Sequence, residues 1–283
     1  MDESVEKEFT FWDHLDELRK VLFRIIIVVV AVMIATFLNK ELLFDIVLAP
    51  HKSDFIIYRF FCRLSEMISV SEICPDEFQV ELINTELPSQ FLIHLSTSFY
   101  VGILLVFPYI IYQIYRFVSP ALYENERKYS SRVIFFSCLL FFLGVLLNYF
   151  LIFPLSFRFL ATYQVSKEVV NMINISSYVN ILMMLSLMIG IMFQLPVLSW
   201  LFSKLGFLSA SFMKRYRRHA IVLILIIAAI ITPTTDAFTL MLVFVPIYML
   251  YELSIGVVKI TERKKKTNEI VKEKDWESPY KFK

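Results

Sequence analysis

Long apolar runs separated by short polar stretches dominate the pattern along the chain. A membrane-spanning helix needs about 20 mainly apolar residues, and most of the runs reach or approach that length. The pattern predicts an all-α integral membrane protein with six transmembrane helices in one polytopic domain, 1–283. The predicted spans are 22–38, 90–115, 133–153, 178–202, 220–232 and 237–251.

The short last spans and several prolines influence the predicted shape. As a helix, the run 220–232 covers only about 20 Å of a hydrocarbon core about 30 Å thick, so local thinning of the bilayer is a candidate mechanism. Proline bends membrane helices because it lacks an N–H and clashes with a preceding carbonyl. Pro108, Pro196 and Pro246 interrupt three spans, and Pro154 is expected to end the third. We expect kinked helices and a concave bundle.

The segment 10–22, before the first span, is predicted to be an interfacial helix. Its apolar positions recur at helical spacing and make one stripe. Glu17 and Arg19 fall off that stripe. They face either the headgroups, as solvated charges of an amphipathic anchor, or a binding partner.

Composition supports the membrane class and excludes others. Hydrophobic residues make up 58% of the chain, charged residues 19%, and the mean hydropathy is +0.65, whereas soluble domains are about a quarter charged. The net charge of +2 offers nothing for nucleic-acid binding. No nucleophile–base pair, metal-ligand cluster or phosphate loop is visible. We therefore expect no enzymatic activity, no metal and no cofactor.

The distribution of cations predicts the orientation. Most of the 28 Lys and Arg residues lie on the side that holds both termini, and the positive-inside rule makes that side cytoplasmic. The basic tail, 259–283, is predicted to be a solvated, mobile end that also contacts anionic membrane lipid. Ionisable groups are missing from the centres of the spans, which argues against an ion-coupled carrier of small molecules.

The first loop on the opposite side, 39–89, is long and acidic. Under this orientation it is periplasmic, and it contains Cys62 and Cys74, whereas Cys138 lies within the third span. An oxidising compartment permits a Cys62–Cys74 disulfide.

The stretch 107–129 carries the most specific polar pattern. An apolar helix ends near Arg116, a Ser119-Pro120 turn follows, and a charged loop holds Glu124 and Glu126. A carboxylate on the cation-rich side suits a receptor for arginine, because guanidinium pairs bidentately with carboxylate. By themselves, these acids are better explained as solvated partners of the neighbouring cations Arg127 and Lys128.

Five sequence blocks follow one another along the chain: HLDELR, FPYIIYQIYRFVSPALYENER, LGVLLNYFLIFPLSFRFL, IMFQLPVL and ITPTTDAFTLMLVFVPIYMLYELSIG. In this order they resemble the TatC family, the multi-spanning core subunit of the twin-arginine protein translocase. The resemblance implies a glove-like, six-helix protein of the bacterial cytoplasmic (inner) membrane. It implies export of folded proteins driven by the proton-motive force, with TatA/TatB-like single-span partners and self-association in a larger receptor complex.

The resemblance also implies roles for individual residues. Positions tied to binding the twin-arginine signal peptide of a substrate match Glu17, Arg19, Phe117, Pro120 and Glu126. Glu124 is a nearby alternative, but the motif alignment favours Glu126. Pro50, Gln194 and Asp236 match positions with partner or structural roles.

The chain departs from the family pattern in places. Many relatives have Glu at the position of Gln194, so a hydrogen bond to a partner, or plain helix packing, replaces any charged role there. A basic residue is common at the position of Val21, which shifts the basic contacts to Lys20 or Arg24. The alternative functions are a permease subunit paired with an ATPase, and an intramembrane enzyme. The first needs a cytoplasmic coupling helix and the second a polar dyad at depth, and the sequence shows neither.

Overall fold

The computed structural model describes residues 11–52, 54–59, 62, 81–118, 130–164, 166, 171–232 and 236–277. Nearly all of these residues are helical, which confirms the predicted all-α membrane fold. Five helices in the described part are long and apolar enough to cross a membrane: Leu15–Leu38, Ser89–Phe117, Ser131–Thr162, Ile175–Lys204 and Ala237–Lys264. The predicted span 220–232 lies in a helix of 15 residues, so the sixth crossing stays a prediction.

Along the described ranges, helices follow one another with a pair of short strands among them. The first half holds α1 (Phe11–Leu38), α2 (Lys40–Leu48), a 3-10 turn (Ala49–His51), β1 (Leu82–Ile83), α3 (Ser89–Val118) and α4 (Ser130–Leu147). A π-helical turn (Asn148–Ile152), α5 (Phe153–Thr162), β2 (Ile173–Asn174), α6 (Ile175–Met192) and α7 (Leu195–Lys204) come next. The chain continues with α8 (Ala210–Arg215), α9 (Arg217–Ile231) and α10 (Ala237–Glu277).

The chain divides into two compact units. The first comprises Met1–Ala49, Ile83–Leu139 and Asn174–Val179, and the second comprises Pro50–Leu82, Leu140–Ile173 and Asn180–Lys283. The predicted site residues Glu17, Arg19 and Phe117 belong to the first unit. Pro50, Gln194 and Asp236 belong to the second.

In the first unit, α1 packs antiparallel against α3. A Cβ added to Gly102 would lie 3.3 Å from the backbone nitrogen of Met33, so a glycine allows the two backbones to approach closely, as small residues do in membrane helix pairs. Further along α1, the Thr36 hydroxyl donates to the Ser98 carbonyl at 3.2 Å. The Phe37 ring stacks on His94 at 4.0 Å. Residues later in α1 therefore contact residues earlier in α3, as in an antiparallel helix pair.

In the second unit, close glycine contacts and one buried polar pair join α6 to α4 and to the π-helical turn that follows α4. A Cβ on Gly190 would lie 2.6 Å from the Phe141 ring, so any larger residue there would displace that ring. Asn148 is fully buried and donates from Nδ2 to the Ser186 hydroxyl oxygen at 2.8 Å. Ser186 donates in turn to the Leu182 carbonyl at 2.7 Å. In low dielectric a buried hydrogen bond of this kind favours one relative placement of the helices.

One sequence-based expectation about a helix boundary, that for Pro154, is wrong, and the structure adds detail to two others. The predicted interfacial helix 10–22 and the first span form one uninterrupted helix, α1. Pro154 does not end the third span, because it occupies the first turn of α5, where the missing N–H costs little, and the preceding π-helical turn carries the chain into it. The tail after Lys259 continues α10 as far as Glu277, because that segment is rich in helix-forming residues and contains no Gly or Pro.

The remaining prolines occupy different positions relative to the helices, and the kinks expected at them stay a prediction. Pro108 and Pro246 lie inside continuous helices. Pro196 follows a break between α6 and α7 at Phe193 and Gln194. The predicted loop 39–89 also begins with an ordered element, α2, which the hydropathy pattern alone did not separate from its surroundings.

Candidate functional site

The amino-terminal part of α1 presents Glu17 and Arg19 on its surface. The nearest cation to Glu17 is Lys20, at 3.9 Å between Oε2 and Nζ, and both side chains are about half exposed or more. Exposed ion pairs of this kind contribute about 0–1 kcal/mol. The Glu17 carboxylate is therefore bound only weakly by Lys20 and can accept another cation. The Arg19 guanidinium lies 5.6 Å from the centroid of the Phe23 ring, a cation–π arrangement within α1.

The register of α1 and α3 relates these residues to Phe117. The two helices are antiparallel and rise by the same amount per residue. Extending the contacts at Gly102 and Ser98 toward the start of α1 brings Glu17 and Arg19 to the level where α3 ends, at Arg116 and Phe117. Phe117 is partly buried there.

The other predicted signal-peptide residues follow directly in the chain. Pro120 and Glu126, with the alternative Glu124, lie outside the described residues. Their roles stay predictions. The described part of the site is therefore the start of α1 together with the end of α3.

A polar residue that the sequence analysis did not single out lies in the same part of α3. Gln113 is 3% exposed and sits one helical turn before Phe117. Its Nε2 donates to the Tyr109 hydroxyl at 2.6 Å, and its Oε1 has no hydrogen-bond partner within the described residues. A lone amide at helical spacing in an apolar run was the signal that could have identified it.

In the second unit, Pro50 belongs to a hydrogen-bonded cluster around Tyr58. Tyr58 is 2% exposed, and its hydroxyl lies 3.0 Å from the Pro154 carbonyl and 3.4 Å from the Pro50 carbonyl. Burial raises the pKa of the Tyr58 phenol to about 12, and the Arg158 guanidinium opposes part of that rise. The Tyr58 hydroxyl therefore links the two proline segments through their backbone carbonyls.

Replacing Tyr58 by Phe is expected to destabilise the protein by about 0.5–1.5 kcal/mol, because it removes a buried hydrogen bond to a backbone carbonyl. The stabilisation depends on pH, since the phenol has a pKa near 10 when unfolded and about 12 when folded. It is complete below about pH 10 and is lost as the pH rises through about 12. Thermal unfolding in detergent measures the difference between the parent and the variant.

The control for this experiment is Tyr163→Phe, because Tyr163 is 65% exposed in the same unit. It should leave the unfolding midpoint unchanged. If the Tyr58→Phe difference did not shrink between about pH 10 and 12, the pKa assignment would be wrong.

Asp236 caps the amino terminus of α10. Its Oδ1 accepts a hydrogen bond from the Thr239 backbone N–H at 2.6 Å, and its carbonyl accepts from the Leu240 N–H at 3.2 Å. This is the geometry of an N-cap, which satisfies an N–H that has no partner within its helix. The structural role implied for Asp236 thus has a direct physical basis.

We expect Asp236→Ala to lower the free energy of unfolding by about 1 kcal/mol, the usual cost of losing an N-cap. Asp236→Asn keeps the cap without the charge and should retain most of the stability. Unfolding midpoints of both variants in the same detergent test this expectation. An Ala variant as stable as the Asn variant would contradict it.

Gln194 and Cys62 complete the positions predicted from sequence. Gln194 is 8% exposed and precedes α7, and its carbonyl accepts from the Leu198 N–H at 2.9 Å. Cys62 is disulfide-bonded and Cys138 is a free thiol. Cys74 lies outside the described residues, so the Cys62–Cys74 pairing stays a prediction. Within the described ranges, no three His, Cys, Asp or Glu side chains gather where they could hold a metal ion.

Comparison with known proteins gives consistent matches over most of the chain. The family model described as Sec-independent protein translocase protein (TatC) matches residues 13–246. The chain is 36% identical over 263 residues to Sec-independent protein translocase protein TatC of Blattabacterium sp. subsp. Periplaneta americana (strain BPLAN), covering 92% of this chain and 98% of that protein. It is 31% identical over 258 residues to TatCy of Bacillus subtilis (strain 168), covering 91% of each.

A solved structure is similar to this chain in its fold as well as in its sequence. The chain superimposes on the crystal structure of the twin arginine translocase receptor TatC with a TM-score of 0.70 and 28% identity, covering 88% of this chain and 99% of that one. The helical arrangement described above is therefore similar to that of a receptor of known structure.

Proposed function

This chain belongs to the TatC family of Sec-independent protein translocase proteins, and on that premise we propose that it is the signal-peptide receptor of a twin-arginine translocase. The family consists of transport proteins rather than enzymes. Membership decides against the permease and intramembrane-enzyme alternatives. The ligand we propose is the paired arginines of a substrate's signal peptide, bound at the cytoplasmic face.

The observation that carries this proposal is the availability of Glu17. Its carboxylate is about half exposed, is only loosely approached by Lys20, and lies at the level where α3 leads into the loop that holds Glu126. With Glu126 as the proposed second carboxylate, two carboxylates would match two guanidinium groups, each of which pairs through two parallel N–H bonds. Partial desolvation on binding strengthens such pairs beyond the value of fully exposed ones.

The wider setting of this receptor is also proposed. Both termini lie in the cytoplasm of a bacterium, and the protein spans the inner membrane. It works with TatA/TatB-like single-span proteins and with further copies of itself, and it exports folded proteins using the proton-motive force. The distribution of cations along the chain supports the orientation, and the family supports the partners.

A peptide-binding experiment tests the receptor function. The purified protein in detergent is mixed with a fluorescent twin-arginine signal peptide or with the same peptide carrying two lysines. Lysine keeps the charge but cannot present the planar fork, so we expect the arginine peptide to bind at least about tenfold more tightly. Equal affinity for both peptides would defeat the proposal.

A further inference from the structure

A basic and aromatic surface in the second unit is left unused by signal-peptide binding. The segment 204–219 contains five Lys and Arg residues and no Asp or Glu. It joins the end of α7 to the start of α9. We define the basic–aromatic face as its exposed side chains Phe207, Phe212, Lys214, Arg215, Tyr216 and Arg218.

Hydrogen bonds and buried side chains hold this face in place. Ala210 and Met213, on the opposite side of α8, are buried against Ile255 and Val258 of α10. The Tyr251 hydroxyl donates to the Met213 carbonyl at 2.8 Å. The position of α8 on α10 is thereby fixed, and the outer side chains point away from the protein.

A second set of contacts orders the amino-terminal end of α8. The Ala210 N–H donates to Glu262 Oε1 at 3.1 Å, and the Ser209 hydroxyl oxygen accepts from the Phe212 N–H at 3.2 Å. Gly206 has a φ of 86°, a left-handed conformation that glycine adopts without strain. The turn it makes presents Phe207, which is 80% exposed.

The cations of the face lack an ion-pair partner among the described residues. Arg217, next to the face, pairs with Glu252 at 2.6 Å. By contrast, Lys214, Arg215 and Arg218 are exposed, and none forms an ion pair in the described part of the chain. The face therefore offers three uncompensated positive charges at fixed positions.

Aromatic rings lie among these cations. Phe212 and Tyr216 are 4.6 Å apart between ring centroids, and Tyr216 and His219 are 5.5 Å apart. Exposed apolar rings beside cations, at the end of an apolar helix, are typical of the membrane–water boundary. An acidic protein partner would explain the cations but would leave the exposure of Phe207 without a reason.

We propose that the basic–aromatic face binds the headgroup phosphates of anionic phospholipids, with its aromatic rings inserted at the level of the acyl-chain boundary. This site is independent of the signal-peptide site. It differs from the lipid contact expected of the basic tail, because here the cations sit on a helix anchored by buried contacts. Each Lys or Arg near an anionic surface contributes about 1 kcal/mol.

Quenching of Trp200 fluorescence by brominated lipid tests which lipids bind near the basic–aromatic face. Trp200 lies four residues before Lys204 on α7, so it reports on lipid near the face. In a Trp12→Phe, Trp276→Phe background, the full chain is reconstituted in phosphatidylcholine mixed with dibrominated phosphatidylglycerol or dibrominated phosphatidylcholine. We expect phosphatidylglycerol to bind near Trp200 about fivefold more strongly than phosphatidylcholine, which is the effect of one cation in contact with a headgroup. This ratio is the anionic preference.

The variant Lys214→Gln, Arg215→Gln, Arg218→Gln should bring that preference close to one. Lys40→Gln, Lys52→Gln is the matched control, because those exposed cations lie among Glu41, Asp45 and Asp54, and it should keep the preference. An unfolding midpoint close to that of the parent shows that the triple variant is folded.

Three results would overturn the proposal. The parent protein could show no anionic preference, which would favour a protein partner for these cations. The triple variant, folded, could keep the full preference. Finally, inorganic phosphate could remove the preference where sodium chloride of the same ionic strength does not, which would indicate a site for soluble phosphate. Loss of preference in both salts by screening is the expected outcome.

Discussion

Export of a twin-arginine reporter is expected to fall to background when Glu126 is replaced by Gln. The substitution keeps the size of the side chain and removes its charge, so the guanidinium loses its charge-assisted, bidentate partner. Losing one member of a partly buried charge pair costs roughly 2–5 kcal/mol, which corresponds to binding weaker by on the order of 30-fold or more. Periplasmic accumulation of a folded reporter measures the effect.

Glu124→Gln provides the matched control, because it removes one acid from the same loop. It should leave export close to the parent level. Membrane insertion of the Glu126 variant, checked by its abundance in the membrane fraction, separates a binding defect from a folding defect. Normal export by a well-inserted Glu126→Gln protein would refute the assignment of this residue.

Replacing Glu17 by Gln is expected to have the second-largest effect. The Glu17 side chain is about half exposed, and its carboxylate lies 3.9 Å from the Lys20 ammonium. Its pair with an arginine of the peptide would therefore be less desolvated than a buried ion pair. We therefore expect a loss of about tenfold in affinity for the twin-arginine peptide, a value between that of a fully exposed ion pair and that of a buried one. The preference for arginine over lysine should narrow at the same time, because Gln accepts from either cation without a charge. Fluorescence anisotropy of the labelled peptide measures both quantities.

Asp16 is the neighbouring control on α1. It is exposed and acidic like Glu17, but the next position on a helix points about 100° away. Asp16→Asn should leave both affinity and selectivity unchanged. If Asp16→Asn and Glu17→Gln weakened binding equally, the effect would come from the general negative charge of α1 rather than from a defined arginine contact.

The local chemistry of the chain was sufficient to predict its membrane class and most of its spans. Each spanning segment must satisfy its own backbone and face lipid by itself, so hydropathy read along the sequence located Leu15–Leu38 and Ile175–Lys204 to within several residues. The motifs around Glu17 and Asp236 consist of residues adjacent in the sequence, so they could also be identified without the structure. Pro154 was misjudged because its effect depends on the π-helical turn before it, which no residue count reveals.

Tertiary structure alone decided which distant groups meet. The Tyr58 hydroxyl reaches the carbonyl of Pro154, 96 residues away, and Asn148 finds Ser186 on another helix. The level of Glu17 relative to Phe117 follows from the close approach at Gly102. Hydropathy specifies that a segment crosses the membrane but leaves its rotation and its partner open, because lipid is as apolar as the neighbouring helix. Close packing and buried hydrogen bonds make those choices, and they exist only once the helices are side by side.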